Sequence, residues 1–151
     1  MAEYSIGLDL GGTNLRAAVI SSEGKILEKI SVSTNPTLGR ESMLGEMVTA
    51  IDGLRSRWGT KGLAGIGLGV PGFILLKEGV IRNSNNLACL EDFPFRDEME
   101  RRLIGHMLLH TSGNKTRASE KLGISLRTLR NKLRAYRAAG YDTDKPESWV
   151  V

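Results

Sequence analysis

Between Gly113 and Arg137 the sequence GNKTRASEKLGISLRTLRNKLRAYR sets two helices around a tight turn. Gly123-Ile124-Ser125 supplies the turn: a glycine can take the positive φ needed just past a helix end, and a serine can accept from the first orphan amides of the next helix. Beyond it Leu126, Leu129, Leu133 and Tyr136 recur at spacings of three and four, which puts them on one helical face. Arg127, Arg130, Arg134 and Arg137 keep the same rhythm one residue later. One residue is about 100° of rotation, so these guanidinium groups form a stripe beside the apolar seam. One face docks and the next is offered to an anion, as a helix lying in a DNA groove requires. In the major groove arginine can pair with guanine through two prongs, and Asn131 can pair with adenine, each worth about 1–3 kcal/mol of discrimination. Lys132, Arg134 and Arg137 suit phosphates, which fix register without reading sequence.

The charge distribution supports two modules. Residues 101–139 carry ten basic side chains (Arg101, Arg102, Lys115, Arg117, Lys121, Arg127, Arg130, Lys132, Arg134, Arg137) against one acid, Glu120. The rest of the chain is net acidic, with eleven basic and sixteen acidic residues. Only the second part is built to seek a polyanion.

Other patterns carry less. Gly67-x-Gly69-x-x-Gly72 has the spacing of a dinucleotide fingerprint, but Pro71 and the following Phe-Ile-Leu-Leu leave no helix opening at the third glycine. His106 and His110 stand at i and i+4, a spacing that can grip a metal; no third ligand type is evident nearby, so they read as ordinary helix-face histidines and no metal is expected. The single cysteine, Cys89, excludes an internal disulfide framework. No apolar run reaches the length of a membrane span, and the start MAEYSIGLDLGG lacks signal-peptide character, so a soluble, cytoplasmic, nucleoid-associated protein is expected.

The elements that position these residues follow in order. Tyr4–Leu10, Leu15–Ile20 and Lys25–Val32 read as an antiparallel meander, and Met43, Leu44, Met47, Val48, Ile51 and Leu54 place an amphipathic helix over about 40–58. Gly62–Val70 reads as a buried strand whose glycines admit close backbone neighbours. Phe73–Leu76 and Val80–Arg82 form a hairpin, and 83–93 a polar loop. A helix starts near Phe95 and ends at Thr111-Ser112; a second spans Lys115–Leu122 with Asn114 as its N-cap; the third is the arginine-striped helix, ending near Gly140.

The first part resembles the start of the ROK sugar kinases, glucokinases included. The residues that carry this are Ile6-Gly7-Leu8-Asp9-Leu10-Gly11-Gly12-Thr13-Asn14-Leu15-Arg16, Gly67-Leu68-Gly69-Val70-Pro71-Gly72, and Asn86-Leu87 with Phe93-Pro94-Phe95-Arg96. The resemblance implies a nucleotide-phosphate turn at Asp9, Gly11, Gly12 and Thr13, with Asp9 helping to place Mg²⁺, and a hexose near Asn86. Glycines that let backbone approach an anion and a carboxylate suited to Mg²⁺ agree with it. The family's catalytic aspartate motif, its Glu-x-Gly-His sugar contact, its zinc loop and its second lobe have no counterpart here. No catalytic residue is therefore assigned, turnover is not expected, and any sugar or ATP/Mg²⁺ site would be vestigial.

The second part resembles the Fis-type helix-turn-helix, also found in NtrC-type response regulators. Leu103-Ile104, Thr111-x-Gly113-Asn114-Lys115-Thr116-Arg117-Ala118, Leu122-Gly123-Ile124-Ser125 and Arg127-Thr128-Leu129-Arg130-Asn131-Lys132-Leu133 carry it. It implies double-stranded DNA as partner, a homodimer, DNA-facing roles for Ser125, Arg127, Thr128, Asn131 and Lys132, with Arg130 and Arg134 beside them, and phosphate contacts from Asn114, Thr116 and Arg117.

Together these imply a mixed α+β chain. A truncated ribonuclease-H-like (actin-like ATPase) β-meander and helix unit covers 1–98, a three-helix Fis-type helix-turn-helix 99–140, and a flexible tail 141–151. The half sheet should expose an edge and an apolar face. A DNA-binding regulator needing no cofactor is the expected function. The alternatives are a glucokinase-like ATP-dependent kinase fragment and a basic amphipathic helix that binds an acidic partner or membrane surface.

Overall fold

The computed structural model describes residues 3–84 and 87–150, so the expectation placed on Asn86 lies outside the described residues. The chain divides into two compact units that meet between Asp97 and Glu98.

Alternation builds the first unit. Strand β1 (Tyr4–Leu10) buries Tyr4, Ile6, Leu8 and Leu10 on one face, and β2 (Asn14–Ser21) buries Leu15, Ala17 and Val19 opposite them. The two pair antiparallel with Asp9 facing Arg16, and β3 (Ile26–Ser33) continues the meander against β2. Helix α1 (Gly39–Trp58) lays Met43, Leu44, Met47, Val48, Ile51 and Leu54 over this face, all buried. Strand β4 (Leu63–Gly69) then returns parallel to β1, giving the order β3-β2-β1-β4.

The expectation of a buried β4 is corrected. Every residue of β4 is half-buried or exposed, because the strand forms the outer edge of the sheet. Its glycines are not crowded throughout either. A Cβ built at Gly65 or Gly67 would meet nothing within 4 Å, and only Gly69 lies close to β1, 3.3 Å from the Leu8 carbonyl oxygen. The hairpin forms as expected, from β5 (Phe73–Leu75) and β6 (Val80–Arg82), with Phe73 and Leu76 exposed at 72% and 79%. The polar loop beyond it is anchored more firmly than its composition suggests: Leu87 and Leu90 are buried, and the Glu91 carboxylate accepts from the Asn83 and Ser84 amides, both at 2.8 Å.

Four helices follow: α2 (Phe95–His110), α3 (Lys115–Leu122), α4 (Leu126–Ala138) and the short α5 (Glu147–Val150). In the second unit Ile104, Met107 and Leu108 of α2 meet Ala118, Leu129 and Leu133, and Trp149 of α5 completes the cluster.

The tail expected to be flexible is therefore part of the fold. Trp149 is only 3% exposed, its indole N–H donates to the Asp142 carbonyl at 2.8 Å, and its ring packs with Tyr136 and Tyr141. Gly105 makes room for it: a Cβ there would lie 2.4 Å from Val150 Cγ2 and 2.9 Å from Trp149 Cζ3. The buried Arg101 donates to the Trp149 carbonyl oxygen and stacks over Tyr141 with 4.4 Å from guanidinium carbon to ring centroid. Its neighbour Arg102 donates to the Val150 carbonyl at 3.3 Å, and Glu98 neutralises both arginines. Burial of the indole and its ring contacts favours this ordered placement, and Glu98 offsets the cost of burying the two cations.

Candidate nucleic-acid interface

The turn between α3 and α4 is held by local bonds at every position. Asn114 caps α3, its side-chain oxygen accepting from the Arg117 amide at 3.0 Å. Gly123 ends α3 in the left-handed region at φ 70°, and the Ile124 amide closes back on the Ser119 carbonyl at 3.1 Å. Ser125 Oγ then accepts from the Thr128 amide at 3.0 Å and lies 2.8 Å from Thr128 Oγ1. These bonds satisfy orphan groups at both helix ends and fix the angle at which α4 leaves the turn.

Leu129 and Leu133 turn α4 inward. Arg127 and Asn131, two residues either side of Leu129, lie roughly 160° from it and face outward. Arg127, Thr128, Arg130, Asn131 and Arg134 are exposed, as are Ser125 in the turn and Asn114, Thr116 and Arg117 at the start of α3. Lys115 of α3 joins Arg130, Leu133, Arg134 and Arg137 around a basic cleft of about 330 Å³. Such a surface presents donors to an anionic ligand and almost no competing acceptor.

Two cations of the helix stand differently. Lys132 is half-buried and forms an ion pair with Glu100 of α2, which also accepts from the Tyr136 hydroxyl at 3.2 Å. Arg137 donates through Nε and Nη2 to Thr143 Oγ1, at 3.2 and 2.8 Å, and Nη2 also reaches Asp144 at 3.2 Å. Glu100, Thr143 and Asp144 were not marked by the sequence pattern. Their acidic or hydroxyl side chains were the only signal, and the pairings depend on tertiary packing.

In the first unit the turn after β1 is closed by the Gly11 amide on the Asn14 carbonyl at 2.8 Å. Asp9 pairs with Arg16 across the β1–β2 register at 3.9 Å, both side chains largely exposed. Thr13 Oγ1 accepts from the Asn14 side-chain amide at 3.1 Å, and a Cβ at Gly12 would meet nothing within 4 Å. Gly12 is thus the open position of the turn. As placed, one exposed carboxylate already paired to arginine and a turn whose first amide is spent do not by themselves make a nucleotide–Mg²⁺ seat.

Residues 95–136 match the family of bacterial regulatory proteins, Fis family. The same region carries the likeness to the transcriptional regulatory protein FlbD of Caulobacter vibrioides, 49% identical over 53 residues, which covers 35% of this chain and 12% of FlbD. The glucokinase of Halalkalibacterium halodurans is 34% identical over 99 residues, covering 64% of this chain and 30% of the relative. Among solved structures, the ROK family glucokinase from Streptomyces griseus in complex with glucose and AMPPNP superposes with a TM-score of 0.57 at 27% identity, over 66% of this chain and 30% of that one. The chain thus spans less than a third of that glucokinase's length and about an eighth of FlbD's. The N-terminal part resembles ROK kinases and the C-terminal part matches the Fis-family helix-turn-helix over residues 95–136, in a mixed α+β chain, as the motifs implied. Among the described residues no helix is long and apolar enough to cross a membrane.

Proposed function

We propose that this chain binds double-stranded DNA through α3, the Gly123-Ile124-Ser125 turn and α4, and acts as a dimeric transcription regulator in the cytoplasm, at the nucleoid. The observation that carries the reading is the two-sidedness of α4: Leu129 and Leu133 are docked, while Arg127, Thr128 and Asn131 project outward from a capped start. Likeness to FlbD and to the Fis family supports it. Arg127 and Asn131 are the base readers in this proposal, Arg130 and Arg134 flank them, and Asn114, Thr116 and Arg117 meet phosphates. Two copies would read half-sites about 34 Å apart.

Selection of bound fragments from a genomic duplex library by the intact protein tests this. Enrichment of a two-fold site, with preference lost at defined positions in Arg127→Ala and Asn131→Ala, is the expected result; uniform recovery of all fragments by all three proteins would contradict base reading.

A second reading gives the N-terminal unit a residual sugar or nucleotide ligand without catalysis. The open Gly12 and the likeness to a glucokinase solved with glucose and AMPPNP favour it. Calorimetric titration of the full chain with glucose and with Mg²⁺–AMPPNP checks it, and the absence of heat with both removes it.

A further inference from the structure

Helix α4 carries five cations, Arg127, Arg130, Lys132, Arg134 and Arg137, and they fall into two groups. Arg127, Arg130 and Arg134 are exposed, and none of them makes an ion pair among the described residues. Lys132 and Arg137 lie on opposite flanks of the helix, roughly 60° to one side of Leu129 and 80° to the other. Each is held by a carboxylate from outside the helix, Glu100 of α2 and Asp144 of the tail.

We propose that Glu100 and Asp144 act as intramolecular stand-ins for DNA phosphates, holding Lys132 and Arg137 out of the contact set and so limiting affinity for the duplex backbone. The proposal rests on the DNA-binding reading and specifies its electrostatics. For Arg137 the geometry is direct. The Nε–Nη2 edge can clamp a phosphate through two parallel bonds, and Thr143 and Asp144 already occupy it. Thr143 is itself buried, and the segment that carries it is fixed by Trp149, so this pairing has a rigid base. For Lys132, Glu100 sits between two donors one turn apart on α4, the ammonium and the Tyr136 hydroxyl. Resemblance alone had implied that Lys132 meets DNA. Asp144 lies beyond the 95–136 match.

Partly exposed ion pairs are individually weak, so the effect is graded rather than all-or-none. Each carboxylate also brings a negative charge toward the polyanion, and its removal acts in the same direction.

The test is binding of the full chain to a random-sequence duplex across a NaCl series. Glu100→Gln keeps an acceptor for Tyr136, and Asp144→Asn keeps one for Arg137. Each variant is expected to bind about threefold to tenfold more tightly at low salt and to steepen the slope of log K against log salt by about 0.9, the value of one added phosphate contact. The double variant Glu100→Gln/Lys132→Gln should return to the unsubstituted slope. A slope flattened by about 0.9 in Lys132→Gln or Arg137→Gln alone would overturn the proposal, because those cations would already be meeting phosphates. Should Glu100→Gln fail to fold, the two cation variants, both on the helix surface, decide the matter. Duplex binding with unchanged slopes in the carboxylate variants overturns this inference alone. No duplex binding by the unsubstituted protein at low salt overturns the DNA reading and this inference with it.

Discussion

The two units close their cores in opposite ways. In the second, a tail of ordinary composition folds back so that Trp149 fills the space that Gly105 leaves on α2, and two buried arginines hold the Trp149 and Val150 carbonyls. In the first, the sheet stops at β4, and no charged residue occurs between Leu63 and Leu76 to guard that edge. Ile66, Leu68, Ile74 and Leu76 line an open pocket of about 250 Å³ beside it. Of the usual defences of an exposed edge, charge is missing here, while a register irregularity at Tyr4/Ser5 and Pro71 just beyond the strand are present. The comparison teaches that a thin core needs closure more than it needs size. A single tryptophan does for the helical unit what the sheet unit lacks along β4.

The largest effect that could break this comparison is at Trp149. Trp149→Ala should destabilise the second unit by about 3–5 kcal/mol in denaturant unfolding followed by far-UV circular dichroism. An unchanged midpoint would mean the tail contributes nothing to closure. Ser125→Ala removes the cap on α4 and should cost about 1 kcal/mol in the same assay, with the Thr128 amide losing its acceptor.

Acid sharpens the contrast from the other side. Backbone hydrogen bonds from Ser84 and Asn83 hold the Glu91 carboxyl below its ordinary value, and bonds from Arg57 and Trp58 do the same for Glu28. A depressed native pKa means that the unfolded state binds more protons, so this stabilisation is complete above the ordinary carboxylate value of about 4.3 and is lost as pH falls through the lower native value. Unfolding of the first unit monitored from neutral pH into acid should show it, and Glu91→Gln should blunt the dependence. The smallest expected effect on stability is Leu76→Ser. At 79% exposure it should shift unfolding by less than about 0.5 kcal/mol while reducing self-association in sedimentation velocity. A large stability loss would show that the edge is covered after all.

How much could be read beforehand follows from the range of the forces. The meander, the helices and the caps at Asn114 and Ser125 were legible because period, alternation and capping act within a few residues. Gly62–Val70 was misread as buried because an apolar run looks the same at the centre of a sheet as at its edge. The tail was misread because Trp149 is buried by residues of α2 and α4 far upstream, in a space left by a glycine that carries no pattern of its own. Residue types on α4 announced the arginine stripe. They did not announce that Lys132 and Arg137 are already paired, since Glu100 and Asp144 come from different elements.

The most direct test of the central claim is an amide NMR titration of the full chain with a duplex bearing the selected site. Shift changes should concentrate at Ser125, Arg127, Thr128 and Asn131 and at Lys115, Thr116 and Arg117 on α3. Changes confined to Asp9–Thr13 or to β4 and the hairpin, or no change at all, would contradict the claim that this helix-turn-helix is the binding surface.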